Sequence, residues 1–440
     1  MARQPTGSDA LAGARVSGEI LFLAHRVPFP PNRGDKIRSW NVLKALCKIA
    51  PVHVCALMDA GDTAEDVAAV GAIATSAHFE PASRSKLGAV LVSAVSGSSA
   101  SVQACSSTAL QKHVLHILEE RPIAAVYAFS GQMAQFVPTL GGKPRFVMDF
   151  VDMDSAKFAA WADASTGPKS WANRIEAQRL FEFEKANAQR ATVSLFVSDA
   201  EASLFRKRTG FDGSQVQVLE NGIDLAYFDP NNRRPGEGRG LLEGALGDGA
   251  GLPHRLRPSP ERREIAPLII FTGQMDYAPN VEAVAAFATK VMPMIRLVQP
   301  AAQFVIVGRA PTAEVKALAK LPGVVVTGEV ADTRDWLNAA DVVVAPLKLA
   351  RGIQNKVLEA MAMAKPVVAS SAAALGIDAV VGRDLIVADT AVEQAAEVLK
   401  LLSDKKRANA LGSAARTRMV ERYSWDTTLA RLPELLGMTA

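Results

Sequence analysis

The sequence predicts an α/β protein with two doubly wound parallel sheets, each covered by helices. Short apolar runs alternate with helical segments along most of the 440 residues, an order typical of parallel sheets. The runs show no polar alternation, so they are expected to be strands that are buried on both faces. A stretch at 229–264 that is rich in Arg, Gly and Pro separates two such series. A chain of this length also exceeds what one core normally covers, so two domains are expected.

The first series opens with a strand at Ile20–Ala24, a proline-rich loop and a helix at Lys36–Ile49. Val52–Met58 is the next strand, and this β-loop-α-β start predicts parallel pairing. A long charged helix is predicted at 169–190, with further strands at 126–129, 146–150, 194–197 and 216–219. We place this domain at 19–228, after a loose tail at 1–18 that lacks the apolar region of a signal peptide.

The second series is placed at 265–420. Its strands are predicted at 268–271, 304–307, 324–327, 342–345 and 367–369. The stretch at 229–264 is expected to be an exposed linker or insertion, because acidic residues, Gly and Pro are interleaved with its arginines. The closing segment Glu421–Leu436, within a last region at 421–440, predicts a terminal helix.

Composition narrows the class of protein. The net charge of +4 is small for the length, which argues against a nucleic-acid-binding protein with a concentrated basic face. No run of 18 apolar residues is present, so no transmembrane helix is expected. Three cysteines without metal-type spacing suit a reducing cytoplasm. A mildly basic chain leaves peripheral contact with an anionic membrane open.

The most informative stretch is Val342–Ser370, which predicts strand, loop, helix and strand in turn. Such a unit directs backbone N–H groups beyond the carboxyl end of its first strand, where phosphates bind in open α/β sheets. Lys356 lies in the first turn of the helix and Glu359 shares its face. A lysine there can neutralise a diphosphate, and a carboxylate can accept both hydroxyls of a ribose. An ordinary surface ion pair between the two residues is the alternative.

This stretch resembles the nucleotide-sugar site of glycosyltransferase family 4, a retaining group with the GT-B fold. Glu359-Ala360-Met361-Ala362 matches the second of two glutamates that this family carries, while Arg351 stands at the position of the first. The resemblance implies that Glu359 holds the ribose. In the family the first glutamate faces the donor sugar, and Arg351 and Lys356 shift the expected contacts toward the diphosphate.

Other segments strengthen the resemblance. Asn221-Gly222-Ile223-Asp224 resembles a segment near the end of the family's first domain, and Phe271-Thr272-Gly273-Gln274 resembles the start of its second. Gln274 and Asn280 stand where the family usually has Arg and Lys for the diphosphate. The segments HRVPFPPNRGDKIRSWNVLKAL and DFVDMDS, with RGIQNKVLEAMAMAKPVV, look like the sugar transferases of PEP-CTERM/exosortase exopolysaccharide systems. In such enzymes the terminal helix crosses back to the first domain, and the two domains face a cleft.

The resemblance and the local patterns together indicate site residues. The donor-side residues are Gly34, Gly273, Gln274, Arg309, Arg351, Gly352, Ile353, Asn355, Lys356 and Glu359. The acceptor-side residues are His25, Arg33, Asp35, Asp149 and Asp154. The residues expected to act in catalysis are Asp152, which orients or deprotonates the acceptor hydroxyl, and the two cations Lys356 and Arg309, which stabilise the leaving diphosphate. A glycine at position 34 allows close backbone approach and a positive φ.

The triplet Asp152-Met153-Asp154 also has the form of a metal-binding DxD motif. Two carboxylates that alternate along a strand can ligate Mg²⁺, but the two-domain layout favours GT-B, which needs no bound metal. We therefore expect no metal and no cofactor besides the nucleotide-sugar co-substrate.

The sequence thus predicts a retaining hexosyltransferase that moves a sugar from a UDP- or GDP-sugar to an acceptor hydroxyl. By resemblance, it works in exopolysaccharide or other cell-surface glycan synthesis in the cytoplasm. A lipid-linked or oligosaccharide acceptor and peripheral contact with the inner membrane are expected. Two alternatives remain open: a catalytically silent nucleotide-sugar-binding subunit, which the missing first glutamate favours, and a GT-B nucleotide-sugar epimerase.

Overall fold

The structure is a computed structural model that describes residues 18–81, 86–141, 144–231, 266–350 and 353–438. The described chain divides into two compact units. Unit 1 comprises the residues up to Gly222 together with those from Thr428 onward, and unit 2 runs from Ile223 to Thr427. The predictions for residues 1–17 and for 232–264 lie outside the described residues.

Unit 1 contains a parallel sheet of seven strands in the order β3-β2-β1-β4-β5-β6-β7. The strands are β1 (Glu19–Ala24), β2 (Val52–Met58), β3 (Ser76–Pro81), β4 (Ile123–Phe129), β5 (Arg145–Val151), β6 (Val193–Phe196) and β7 (Val216–Val218). The helices are α1 (Gly34–Ile49), α2 (Ala64–Gly71), α3 (Lys86–Ser96), α4 (Ala100–Ala104), α5 (Thr108–Glu120), α6 (Asp154–Asp163), α7 (Gly167–Arg190) and α8 (Asp199–Thr209), and a 3₁₀ turn spans Gly131–Phe136.

Unit 2 contains a parallel sheet of six strands in the order β10-β9-β8-β11-β12-β13. The strands are β8 (Leu268–Thr272), β9 (Gln303–Val307), β10 (Val324–Gly328), β11 (Val342–Ala345), β12 (Val367–Ala369) and β13 (Ile386–Val387). The helices are α9 (Ala278–Ala286), α10 (Met292–Val298), α11 (Ala313–Ala317), α12 (Thr333–Ala339), α13 (Asn355–Ala362), α14 (Ser371–Ala374), α15 (Ala391–Ser403) and α16 (Lys405–Arg422), followed by α17 (Trp425–Thr428), which ends at the boundary. A π-helical turn at Phe287–Val291 joins α9 to α10, and a 3₁₀ turn at Leu318–Lys320 follows α11.

The predicted strands are confirmed in both units, and those near the centre of each sheet are almost completely buried. Every residue of β8 and β11 is buried, and so are all residues of β1 after Glu19. Parallel strands with helices on both sides have no solvent-facing side, so an uninterrupted apolar run is the sequence that suits them. The edge strand β3, which is only partly buried, has no such run and escaped prediction.

The order of the unit 2 sheet places its ligand-binding edge. The chain moves outward from β8 to β9 and β10, then returns to the centre and continues from β11 to β12 and β13. The order in which the chain adds strands therefore reverses between β8 and β11, while all strands stay parallel. In open α/β sheets, ligands bind beyond the carboxyl ends of the strands at this switch point. Here α9 follows β8 and α13 follows β11.

The carboxyl end of α13 is fixed tightly against α16. Ala364 adopts a positive φ of 54°, and the amide of Lys365 donates to the carbonyl of Ala360 at 3.0 Å, as in a Schellman motif. Gly412 of α16 lies against this turn, so that a Cβ at Gly412 would come within 2.1 Å of the Ala364 oxygen. This contact holds α13, and with it the residues on its amino-terminal turn, in one orientation.

The prediction of one terminal helix over Glu421–Leu436 is wrong. Helix α16 ends at Arg422, and α17 is followed by the short helix α18 (Leu432–Leu435). The amide of Ile223 donates to the carbonyl of Tyr423 at 2.6 Å, and Ile223 pairs with Ser424. This pairing occupies the carbonyl of Tyr423, so the helix does not continue through that carbonyl. The residues from Thr428 onward nevertheless return to unit 1.

None of the helices in the described ranges combines the length and the apolarity needed to cross a bilayer.

Candidate functional site

Two glycines bring the carboxyl ends of β8 and β9 together in unit 2. The amide of Gly273 donates to the carbonyl of Val307 at 3.0 Å. Gly308 has a φ of +151°, and a Cβ at Gly308 would lie 1.7 Å from the carbonyl oxygen of Gly273. Only glycine fits this close approach, so the two glycines allow the backbone after β8 and β9 to pack together at the switch point.

Lys356 is held at this edge by Asn280. The Lys356 ammonium donates a hydrogen bond to Asn280 Oδ1 and lies 4.3 Å from the centroid of the Phe271 ring. Asn280 is buried, and its Nδ2 donates to the carbonyl of Gln274 at 2.8 Å. A Cβ at Gly273 would come within 3.1 Å of Lys356 Nζ. The ammonium is therefore fixed between the amino-terminal turns of α9 and α13, where the helix dipoles and free amides also favour an anion.

The contacts of Lys356 argue against an ordinary surface ion pair. The ammonium donates to Asn280 and not to Glu359, although the two side chains share a face of α13. Burial lowers the pKa of Lys356 to about 8, and the nearby Glu359 carboxylate opposes that change. A cation that is partly stripped of water and held without a carboxylate partner is prepared for an anionic ligand.

Glu359 is a half-buried carboxylate without a protein donor. None of the described residues donates a hydrogen bond to it, and burial raises its pKa to about 7, against the effect of Lys356. The raised pKa means that the ionised carboxylate costs folding free energy, and a ligand that donates hydrogen bonds to it would offset this cost. A vicinal diol, with its two hydroxyl donors, matches the two oxygens of a carboxylate.

One wall beside Glu359 was not predicted from the sequence. Burial raises the pKa of the half-exposed Tyr227, and Asp332 and Glu359 contribute to that rise. The guanidinium of Arg334 lies 3.7 Å from the Tyr227 ring centroid and donates to the Tyr227 carbonyl at 3.0 Å. Arg334 also forms a forked hydrogen bond to Asp332. A cation–π contact across more than 100 positions of sequence leaves no local pattern.

The other donor-side residues of unit 2 lie in the segments that follow β9 and β11, or outside the described residues. Arg309 follows Gly308, is exposed, and donates to Gln274 Oε1 at 3.2 Å. Ile353 is partly buried against the core of unit 2, and Asn355 is the exposed first residue of α13. The predictions for Arg351 and Gly352 fall outside the residues that the structure describes.

In unit 1, three predicted acceptor-side residues come together after β1. Asp35 accepts from Arg33 Nε at 2.8 Å and lies 3.2 Å from His25 Nε2. Arg26, which was not predicted, also reaches Asp35 at 2.8 Å and bridges to Asp59 at 2.6 Å. Burial opposes ionisation, but His25 and the two arginines hold the pKa of Asp35 well below its usual range. The Asp35 carboxylate therefore stays ionised.

Gly34 does not have the backbone geometry that we expected. It is the first residue of α1 and has no positive φ. A Cβ at this position would meet no described atom within 4 Å. The fold itself does not require glycine here, so a role in ligand approach stays a prediction.

We expected Asp149 to line an accessible surface, but it is an interior residue. Asp149 and Tyr127 are 0% exposed and Arg38 is 1% exposed. Arg38 Nε donates to Asp149 Oδ2 at 2.9 Å, and the Tyr127 hydroxyl donates to the same oxygen at 2.6 Å. Arg38 Nη1 donates to Asn221 Oδ1 at 2.8 Å. The cluster anchors α1 and the end of unit 1 to the sheet.

Asp152 and Asp154 both form ion pairs with Lys157. Lys157 Nζ lies 3.0 Å from Asp152 and 2.9 Å from Asp154. Gln132 donates to Asp154 at 3.2 Å. Val151, just before Asp152, has a φ of +72°, which is strained for a β-branched residue. Across the described ranges, no group of three or more His, Cys, Asp or Glu side chains is placed to hold a metal ion.

These two sheets define the class of protein: two Rossmann-like α/β domains of the GT-B kind. Residues 266–404, which lie in unit 2, match the family described as glycosyl transferases group 1. No curated protein sequence matches the chain.

Solved structures with the same fold cover nearly the whole chain at low identity. HepE of Anabaena, solved with UDP, is 15% identical, with a TM-score of 0.63 over 96% of this chain and 100% of its own. Sucrose-phosphate synthase of Thermosynechococcus elongatus is 16% identical, with a TM-score of 0.62 over 95% and 98%. WaaG, a glycosyltransferase involved in lipopolysaccharide biosynthesis, is 14% identical, with a TM-score of 0.60 over 95% and 100%. The family match and the shared fold support a glycosyltransferase.

Proposed function

We propose that this protein is a retaining glycosyltransferase of the family 4 type, which transfers a hexose from a nucleotide-diphosphate donor to an acceptor hydroxyl. Unit 2 supplies the donor site and unit 1 the acceptor site. The observation that carries the proposal is the pair on α13: an ammonium that Asn280 holds at the switch point, and a carboxylate at Glu359 that no described residue satisfies.

The proposed chemistry follows from charge. When the glycosidic bond breaks, negative charge develops on the leaving diphosphate. Lys356 is already positioned and partly desolvated, so it stabilises this charge with little reorganisation. The Glu359 carboxylate accepts hydrogen bonds from the two hydroxyls of the ribose and so fixes the nucleotide relative to Lys356. Arg309, exposed beside Gln274, is proposed as a second cation toward the diphosphate.

The roles proposed in unit 1 concern the acceptor. Asp152, beside Lys157, orients the acceptor hydroxyl, and the cluster of His25, Arg33 and Asp35 contributes to binding. Neither role requires a metal or a cofactor besides the nucleotide-sugar.

We propose UDP- or GDP-sugars as donors and a cell-surface glycan such as an exopolysaccharide as the product. Support comes from the UDP that HepE carries and from the lipopolysaccharide pathway of WaaG, together with the resemblance to exopolysaccharide sugar transferases. A lipid-linked acceptor at the cytoplasmic face of the inner membrane, with peripheral membrane contact, completes the proposal.

A thermal-shift titration with UDP, GDP and ADP tests the donor site. A ligand that binds only the native state raises the melting temperature. We expect one nucleotide to do so in the wild type, and Lys356→Met and Glu359→Gln each to reduce the shift. Lys400 and Glu397 on α15 form a pair of the same spacing outside the candidate site, with 2.6 Å between Nζ and Oε1. Lys400→Met and Glu397→Gln are therefore matched controls that should keep the full shift.

If none of the three nucleotides raises the melting temperature, the proposed donor site is contradicted. A shift that the control variants reduce as much as the α13 variants would show a general electrostatic effect. A nucleotide shift without turnover of any nucleotide-sugar would favour the silent binding subunit instead.

A further inference from the structure

One partly exposed face of α6 carries polar groups at one end and aromatic rings at the other. Asp154, Lys157, Phe158 and Trp161 recur at the spacing of residues that share a helix face. The opposite face is buried: Ser155 is 0% and Ala162 1% exposed. Because the helix rises about 1.5 Å per residue, the face extends for about 10 Å.

The polar end of this face is ordered by its own contacts. Lys157 bridges the two carboxylates of Asp152 and Asp154, which keep roughly a third of their side-chain surface exposed. Gln132 donates to Asp154, and its own amide oxygen accepts from the Ser130 hydroxyl at 2.6 Å. These groups offer several acceptors and donors within one small area, which suits a ligand with many hydroxyls.

The aromatic end is preorganised as well. Trp161 is 54% exposed. Phe158 contacts it edge to face, with 5.0 Å between ring centroids, and this contact restricts the orientation of the indole. The backbone beneath is fixed because Ser155 donates to Glu184 of α7 through both its amide and its hydroxyl, at 3.0 and 2.6 Å. A large exposed aromatic ring next to an ordered polar cluster is typical of a binding surface.

We propose that this face of α6 binds a sugar ring of the acceptor, so that the acceptor is recognised as a glycan. The inference rests on the proposed transferase function and adds the chemistry of its acceptor. The apolar C–H face of a pyranose packs on Trp161, and hydroxyls of the same or the neighbouring ring bond to Asp154, Gln132 and Lys157. Trp161 lies outside every set of residues that the sequence indicated.

Charge selects a glycan over a membrane surface as the occupant. Two carboxylates face one ammonium at the polar end, which leaves a net negative charge that repels the phosphates of anionic lipids. At the other end of α6, Asp163 is paired with Arg174 at 3.4 Å, so that pair adds no net charge there. A neutral polyol can bind beside this negative charge, whereas an anionic headgroup is repelled by it.

The test uses saturation-transfer NMR of the full-length protein with methyl glycosides of glucose, galactose, mannose, rhamnose and N-acetylglucosamine in both anomeric forms. Trp171 on α7 is the matched control, because it is another tryptophan of unit 1 and is 69% exposed. We expect at least one glycoside to bind, and Trp161→Ala to raise its Kd roughly two- to tenfold, the range for an aromatic contact. Trp161→Phe should restore part of the affinity, and Trp171→Ala should leave it unchanged.

Each sample is also titrated with the nucleotide that stabilises the wild type, which reports whether the variant is folded. A retained nucleotide shift with no binding of any glycoside would overturn the acceptor proposal and leave the donor site standing. Absence of the nucleotide shift in the wild type would instead remove the function on which it rests. If Trp161→Ala and Trp171→Ala lose binding to phosphatidylglycerol vesicles equally, and no glycoside binds, the tryptophans contact a membrane and the glycan site is wrong.

Discussion

Nucleotide-sugar affinity should depend on pH as a bell with its maximum near pH 7.5. Ribose binding needs the Glu359 carboxylate, whose pKa burial raises to about 7. Diphosphate binding needs the Lys356 ammonium, whose pKa burial lowers to about 8. The fraction of free protein with both groups charged is about 0.6 at pH 7.5 and about 0.1 at pH 6 or pH 9. Affinity should therefore fall about sixfold on each side, or about 1 kcal/mol.

The assay is isothermal titration calorimetry with the nucleotide-sugar between pH 5.5 and 9. A nucleotide-sugar is used because the terminal phosphate of a free nucleotide itself titrates at roughly pH 6. Glu359→Gln should abolish the acid limb, and Lys356→Met should abolish the alkaline limb and lower affinity throughout. Glu397→Gln and Lys400→Met should keep both limbs. A flat profile in the wild type, or limbs that persist in both α13 variants, would refute the assignment of these two groups.

Four further predictions concern stability. Glu359→Gln should raise the melting temperature of the ligand-free protein at pH 8 and change it little at pH 4.5. The reason is that the raised pKa of Glu359 makes the folded protein lose stability as the pH rises from about 4.5 through about 7. Equal changes in melting temperature at both pH values would contradict the burial cost. Asp149→Asn leaves the Arg38 charge buried and should cost about 3–5 kcal/mol in urea unfolding, whereas a cost below about 1 kcal/mol would place Asp149 outside the core network. Gly308→Ala should destabilise unit 2 by more than about 3 kcal/mol, measured as a lower urea midpoint, since its Cβ would overlap Gly273; Gly34→Ala, which meets no neighbour, should stay within about 0.5 kcal/mol. Val151→Gly should change unfolding free energy by no more than about 1 kcal/mol, since released strain offsets added chain entropy, yet it should lower kcat by displacing Asp152; unchanged kcat would show that the strain has no role in positioning.

The sequence predicted the strands well because a parallel sheet buries both faces and so produces uninterrupted apolar runs. Strand β11 was bounded correctly from Val342–Ala345 alone. The terminal helix was not, since the partner of Ser424 is Ile223, some 200 positions earlier. No local pattern records a backbone pairing of that separation.

Within the candidate site, the local part was predictable and the tertiary part was not. Lys356 and Glu359 stand three residues apart on one helix, so their common face follows from the period of the helix. The partner of Lys356, Asn280, is 76 positions away, and it was noted only where the resemblance expected a cation. The burial of Asp149 depends on Arg38, 111 positions earlier, and an aspartate at a strand end looks the same in sequence whether it is buried or exposed.

We propose that the nucleotide diphosphate binds at the amino-terminal turn of α13. The decisive experiment is a crystal structure with the nucleotide that gives the largest thermal shift. We expect a phosphate oxygen within about 3 Å of Lys356 Nζ and both ribose hydroxyls within about 3 Å of the Glu359 carboxylate. A nucleotide bound elsewhere, with Lys356 still donating to Asn280 and Glu359 still without a donor, would contradict it.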